Sequence, residues 1–103
     1  MLRSGPLGFI KKLRARARRV VIRIPSENRH IKKVSARILA SLEPHGVSEE
    51  KAFDIKLCVE EAVRNAIVHG NRSDKNKTVK AAYLIDGGRI TIEIEDEGEG
   101  FDH

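Results

Sequence analysis

One long helical stretch, starting near Ser48 and running to about Val68, constrains this chain more than any other part of it. At about 100° per residue, Ile55, Val59, Ala62, Val63 and Ala66 share one broad apolar face, which reads as core. Lys56, Glu60 and Arg64 follow one another at i+4 on a second stripe. That stripe is the expected solvent face, with Glu60 placed to pair with both neighbours. Asp54, Glu61 and Asn65 form another polar group, with His69 at its edge. Phe53, Leu57 and Val68 separate it from the solvent stripe. An amphipathic helix has one polar face, whereas this one is apolar nearly all round with a polar notch cut into it. Buried polar groups are costly unless something pairs with them, so the notch points to a ligand or a metal ion.

The remaining elements are read around that helix. Val20-Val21-Ile22-Arg23-Ile24 is a β-branched run ended by Pro25, which predicts a strand. Ser26 or Asn28 is the expected N-cap of a first helix, in which Ile31, Val34, Ile38 and Leu42 repeat at helical spacing. Pro44 and Gly46 end it. Ser48 is the expected cap of the long helix, Glu49 and Glu50 suit the positive end of its dipole, and Gly70 is the expected C-cap. Asn71 to Asn76 is a polar loop. Val79, Ala81, Tyr83 and Ile85 then alternate along a strand, Asp86-Gly87-Gly88 signals a tight hairpin, and Ile90, Ile92 and Ile94 alternate along the return strand. Asp96 stands at its end. The reading is an α+β domain, with helices on one face of a mixed or antiparallel sheet.

Two motifs give this pattern a family. Glu61-Ala62-Val63-Arg64-Asn65-Ala66, continuing to His69-Gly70-Asn71, resembles the N-box of the GHKL (Bergerat-fold) ATPase superfamily. Asp96-Glu97-Gly98-Glu99-Gly100-Phe101 resembles its G1 box, D-x-G-x-G, and follows a hairpin as that family requires. The helix–helix–hairpin order is most similar to the anti-sigma-factor serine/threonine kinase branch. The resemblance covers residues 20–103 and stops at the G1 box, before the family's ATP lid, second glycine box and further strands. It implies an incomplete Bergerat-type ATP-binding sandwich, the N-terminal part of a histidine-kinase-like ATPase domain, with weak Mg·ATP binding and little kinase activity expected of these residues alone.

The resemblance also implies roles. Glu61 takes the general base, a carboxylate able to orient or deprotonate an attacking hydroxyl. Asn65 takes the magnesium contact, one amide oxygen shared with nucleotide phosphates and water. Asp96 accepts from the exocyclic amine of adenine, and Gly98 and Gly100 let the backbone pass close to the base. ATP and Mg²⁺ are the implied cofactors. A sigma factor and a STAS-type anti-sigma antagonist are the implied partners, and partner switching is the implied mode of transcriptional control; a second copy of the chain is expected on separate grounds, from the hydrogen-bonding edge and apolar face that a sheet cut short exposes. His69 is read as a structural hydrogen-bonding residue near the helix end.

Charge and composition test the other classes. The net charge of +5 belongs to the first 19 residues, which carry +7 and no acid, leaving −2 for the rest. Residues 1–19 are therefore read as a basic, solubilising arm outside the fold. Nucleic-acid binding through that arm is a weaker reading, because the folded part is slightly acidic and the arm has one aromatic, Phe9. A GHKL-like domain that binds nucleotide or protein without catalysis is the alternative to the kinase. Zinc chemistry lacks its ligands, since there is no H-E-x-x-H and one cysteine, Cys58, read as a small buried hydrophobe. No apolar run is long enough to span a membrane, and a reducing cytoplasm is the expected location.

Overall fold

A computed structural model describes residues 18–98 of the chain. Strand β1 (Arg19–Pro25) leads through a 3₁₀ turn (Asn28–His30) into helix α1 (Ile31–Leu42). A second 3₁₀ turn (Glu43–His45) connects to helix α2 (Glu49–Asn65), which widens into a π turn (Ala66–Gly70). Strands β2 (Thr78–Asp86) and β3 (Arg89–Glu95) follow. The expected arm, residues 1–19, lies outside the described residues except for Arg18 and Arg19, and β1 opens at Arg19, one residue before Val20.

The three strands form an antiparallel sheet in the order β1-β2-β3, so the α+β expectation holds and the described sheet has no parallel pair. Register carries the alternation of each strand onto a common face. Ile22 lies opposite Ala81 and Ala81 opposite Ile94; Val20, Tyr83 and Ile92 form the next row. Against that face pack Ile31, Val34, Ile38 and Leu42 of α1, Val59 and Val63 of α2, and Ala66 and Ile67 of the π turn. The other face is charged. Arg19 pairs with Glu93 at 2.9 Å and Lys80 with Glu95 at 2.9 Å, cross-strand pairs that solvate one side of the sheet. The Gly87-Gly88 hairpin turn uses a left-handed Gly87, φ +64°, as a tight two-residue connection requires.

The helix caps are part expected and part reassigned. The Ser48 hydroxyl accepts from the Lys51 amide at 3.1 Å and starts α2. Ser26 and Asn28 do not cap α1. Glu27 stands at the turn's N-cap without a side-chain bond, and the buried Ser26 hydroxyl donates instead to the Lys77 carbonyl at 2.8 Å. Gly70 is not the left-handed cap of α2 either. The chain reverses two residues later, where Arg72 and Ser73 take φ +54° and +57° and the Ser73 amide donates to the Ile67 carbonyl at 2.7 Å. That bond spans seven residues, one more than the six-to-one closure of a Schellman motif, and it follows a π turn.

The stripe read as solvent-facing is also reassigned. Glu60 is half-buried against α1, and the Ser35 hydroxyl donates to its carboxylate at 2.7 Å. Lys56 lies 3.7 Å away. A helical wheel gives the angle between residues but not the side from which a second helix approaches, and α1 lies along this stripe. Ser35 holds the Glu60 carboxyl below its ordinary 4.5, against partial burial, with Lys56 and Lys32 adding to the effect. The face read as a notch is the open one: Phe53, Leu57 and Val68 are 57%, 49% and 37% exposed. Cys58, expected in the core, is exposed on it.

Glu60→Gln should therefore destabilise the fold by about 1 kcal/mol more than Glu61→Gln, the difference between a charge-assisted and a neutral hydrogen bond. A carboxyl lowered in the folded state contributes stability above its unfolded value and loses it as pH falls through the folded one. The gap between the two variants should accordingly close below about pH 4.5. Urea melts of both variants at neutral and acid pH measure this, and equal stabilities at neutral pH would contradict the Ser35–Glu60 contact.

Candidate functional site

The residues of interest meet where α2 ends. Its α-helical bonding gives way at Ala66, and the Asn71 amide donates to the Ala66 carbonyl at 2.8 Å, an i to i−5 bond. π turns are uncommon and concentrate at functional sites. This one delivers two residues to the mouth of the β2–β3 sheet: Gly70, and Asn71, whose side chain is buried.

Asn71 spends its whole amide on the site. Its Nδ2 donates to Ser26 Oγ at 2.8 Å, at the end of β1, and to the Thr78 carbonyl at 2.9 Å, at the start of β2. Its Oδ1 accepts the Glu97 amide at 2.8 Å and the Gly98 amide at 3.1 Å. Two donors and two acceptor positions are the full capacity of the side chain. Sequence reading quoted Asn71 within the motif and gave it no role. The available signal was its position directly after Gly70, at the mouth of a polar loop.

The loop leaving β3 is held from its other side as well. The Glu97 carboxylate accepts from the Thr78 amide at 2.6 Å and the Thr78 hydroxyl at 3.1 Å, and those bonds hold its carboxyl below the usual 4.5. Lys77 Nζ donates to the Gly98 carbonyl. Gly98 sits at φ +66°, a backbone state that favours glycine. Asp96, one residue past β3, lies with its side chain directly over Gly70. Asp96 is exposed and makes no hydrogen bond or ion pair with the described residues, so both carboxylate oxygens are available to a donor.

Glu61 and Asn65 form a second group on the open face of α2, where they line a shallow depression with Leu57, Cys58 and Ala62. Both are exposed rather than buried in a notch. Arg64 lies 3.7 Å from the Glu61 carboxylate. The fold thus brings Asp96 and Gly98 to the C-terminal end of the helix that carries Glu61 and Asn65. Gly100 lies outside the described residues. His69 is exposed and has no hydrogen bond among them, so the expected structural bond is absent there. No cluster of His, Cys, Asp and Glu among the described residues forms a metal cage. One exposed amide oxygen beside one carboxylate instead fits a magnesium ion that arrives with phosphates and keeps its waters. No helix among the described residues is long and apolar enough to cross a membrane.

Comparison with known proteins bears on the family. Residues 24–103 match the family described as the histidine kinase-like ATPase domain. The chain is similar to the protein named Anti-sigma F factor in Geobacillus stearothermophilus, 37% identical over 76 residues, covering 73% of this chain and 50% of that protein. It is likewise similar to the Anti-sigma F factors of Clostridium perfringens (strain SM101 / Type A), 39% identical over 79 residues with 76% and 54% covered, and Clostridium botulinum (strain Eklund 17B / Type B), 35% over 78 residues with 75% and 52% covered. The chain spans about half the length of these curated relatives.

Asn71→Asp tests the network. The replacement keeps the acceptor for Glu97 and Gly98 but sets a second oxygen against the Thr78 carbonyl. It should cost about 2–4 kcal/mol, the range for breaking a buried polar network, despite being nearly isosteric. Chemical denaturation checks the magnitude, and a loss under half a kcal/mol would rule out the Nδ2 bonds. Separately, the Thr78 amide proton shift should titrate with an apparent pKa below 4.5, because protonating Glu97 turns a charged acceptor into a weaker neutral one. A midpoint above 4.5 would contradict the contact.

Proposed function

We propose what this protein does from one premise that stands on its own: the chain belongs to the histidine kinase-like ATPase domain family. The reading is an ATP-dependent serine/threonine protein kinase of the anti-sigma type, acting in the cytoplasm. Its partners are a sigma factor and a STAS-type antagonist, with a second copy of the chain as a further one, and control passes between partners according to nucleotide and phosphorylation state. The observation that carries it is the joint placement of two groups on one helix. Glu61 and Asn65 face outward from α2, and the π turn at its end holds the Asp96–Gly98 loop.

In this reading Asp96 accepts from the 6-amino group of adenine, and the backbone at Gly98, continuing to Gly100, passes close to the base. Asn65 contributes an oxygen to magnesium, which neutralises charge on the nucleotide phosphates. Glu61 receives the proton of the attacking serine hydroxyl. The serine oxygen forms its bond to the γ-phosphorus as the bond from that phosphorus to the ADP oxygen breaks. Most of the catalysis is positioning and charge stabilisation, with Glu61 adding the proton transfer.

A nucleotide-binding or protein-binding module without catalysis is the second reading. It is favoured by the exposure of Glu61, whose carboxylate lies in solvent beside Arg64.

Phosphate transfer from ATP to a STAS-type antagonist, assayed with the full-length protein, separates the two. Glu61→Gln should keep nucleotide affinity and lower the transfer rate by roughly 10²–10⁴-fold, the range for losing a general base. Asn65→Ala should weaken the magnesium-dependent part of ATP binding. Transfer at the wild-type rate in Glu61→Gln would remove Glu61 from the chemistry. No transfer by the wild type, with ATP binding intact, would favour the binding module.

A further inference from the structure

At the N-terminal end of α2, opposite the candidate site, lies an open cavity of about 170 Å³. Its apolar lining comes from Leu42 at the end of α1, Val47 in the connection, Ile55 of α2, and Ile85 and Ile90 of the β2–β3 hairpin. Leu42 is buried, but the other four are half-buried, so contiguous apolar surface meets water here among the described residues. Surface of that kind marks an interaction site.

The charge around the cavity has one sign. His45 in the second 3₁₀ turn, Lys51 in the first turn of α2 and Arg89 at the start of β3 line it, and no acid does. All three are exposed, and none has an ion pair or side-chain hydrogen bond among the described residues. Asp86 stands opposite Arg89 in the hairpin register, yet the two do not pair. Lys51 also sits at the positive end of the α2 dipole, where a cation is disfavoured. An anion from outside would answer all three. The wall between them is bare backbone: a Cβ on Gly87 or Gly88 would meet nothing within 4 Å, so a second chain can approach the turn closely.

We propose that this cavity docks an acidic protein segment, with one leucine-sized side chain filling the hole and carboxylates on either side meeting Lys51, Arg89 and His45. The cavity is smaller than the roughly 300–1,000 Å³ of pockets that hold small molecules, and suits a single anchoring side chain. The cations stand on three separate elements, so one small carboxylate would leave two of them unanswered, whereas a segment with several acids reaches all. The buried anchor supplies affinity, and the charged rim selects the partner and speeds its approach. None of this depends on the roles of Glu61, Asn65 or Asp96.

The test is an NMR titration of the full-length protein with a blocked pentapeptide that has leucine between two pairs of glutamates. It should shift the amide signals of Val47, Ile55, Gly88 and Ile90. Replacing the peptide's leucine with alanine should weaken binding at least about tenfold, the scale of burying an aliphatic side chain. Replacing its glutamates with lysines should abolish binding. Lys51→Glu should weaken the leucine peptide at least about fivefold, the upper range for one exposed ion pair, while keeping the unfolding midpoint, since an acid suits the start of a helix. Three results on the wild type alone would overturn the proposal: no shift at these four amides, equal affinity for the alanine peptide, or equal affinity for the lysine peptide. Hexanoate binding at the same amides as tightly as the peptide would make this a small-carboxylate site and overturn it too. Wild-type affinity in a folded Lys51→Glu would remove the charged rim from the recognition.

Discussion

The site depends on one buried amide. Asn71 bonds to residues 45, 7, 26 and 27 positions away in the chain, so a single side chain fastens the end of β1, the start of β2 and the loop after β3 to the end of α2. A buried primary amide is expensive unless all its positions are used, and here all are. No common substitute matches it. Aspartate has no donors at neutral pH, glutamine moves the amide by a methylene, and leucine leaves two amides and a carbonyl without partners. The backbone around the loop is ordered by this residue more than by packing, since Asp96 and Glu97 are themselves exposed.

The π turn follows from the same requirement. Continuing α2 as a regular helix through Gly70 would rotate Asn71 away from the sheet by the width of the inserted residue, about 100°. Widening the last turn keeps Ala66 and Ile67 in the core while presenting Asn71 inward. The chain then turns through two left-handed non-glycine residues, Arg72 and Ser73, each costing about 1–2 kcal/mol relative to ordinary backbone. Strain of this kind persists where surrounding bonds over-determine it, and the Ser73 amide to the Ile67 carbonyl is one such bond.

How much of this was legible in the sequence follows the range of the interaction. Strand alternation, the Gly87-Gly88 turn and the Ser48 cap were readable because each is decided within a few residues. The core face of α2 was readable for the same reason. Ser26 was misplaced because its partners, Lys77 and Asn71, lie 51 and 45 residues away. Glu60 was misplaced because periodicity cannot say where α1 docks, and Cys58 because nothing local shows that its side of α2 stays open among the described residues. Glu61, Asn65, Asp96 and Gly98 were singled out through motif resemblance. Their geometry was not, since the motif text contains neither the π turn nor the Asn71 bonds that relate them.

The two halves of the site are held by different means, and this bears on how each is set. Glu97 and Gly98, the two residues after Asp96, are held by hydrogen bonds to Asn71, Lys77 and Thr78. Glu61 and Asn65 have no such bonds among the described residues; their direction follows from the rotation of α2 about its own axis. That rotation is set by Val59 and Val63 in the core and by Glu60, adjacent to Glu61 and about 100° around the helix. Apolar packing alone tolerates small rotations, because dispersion contacts are many and weakly directional. The Ser35 bond to Glu60 is directional, at 2.7 Å, and is reinforced by Lys56. A helix rolled far enough to bury Glu61 would break it. The Glu60 carboxylate therefore holds its neighbour Glu61 at a set angle about the helix, and the open face of α2 is as defined in direction as the hydrogen-bonded loop at its end.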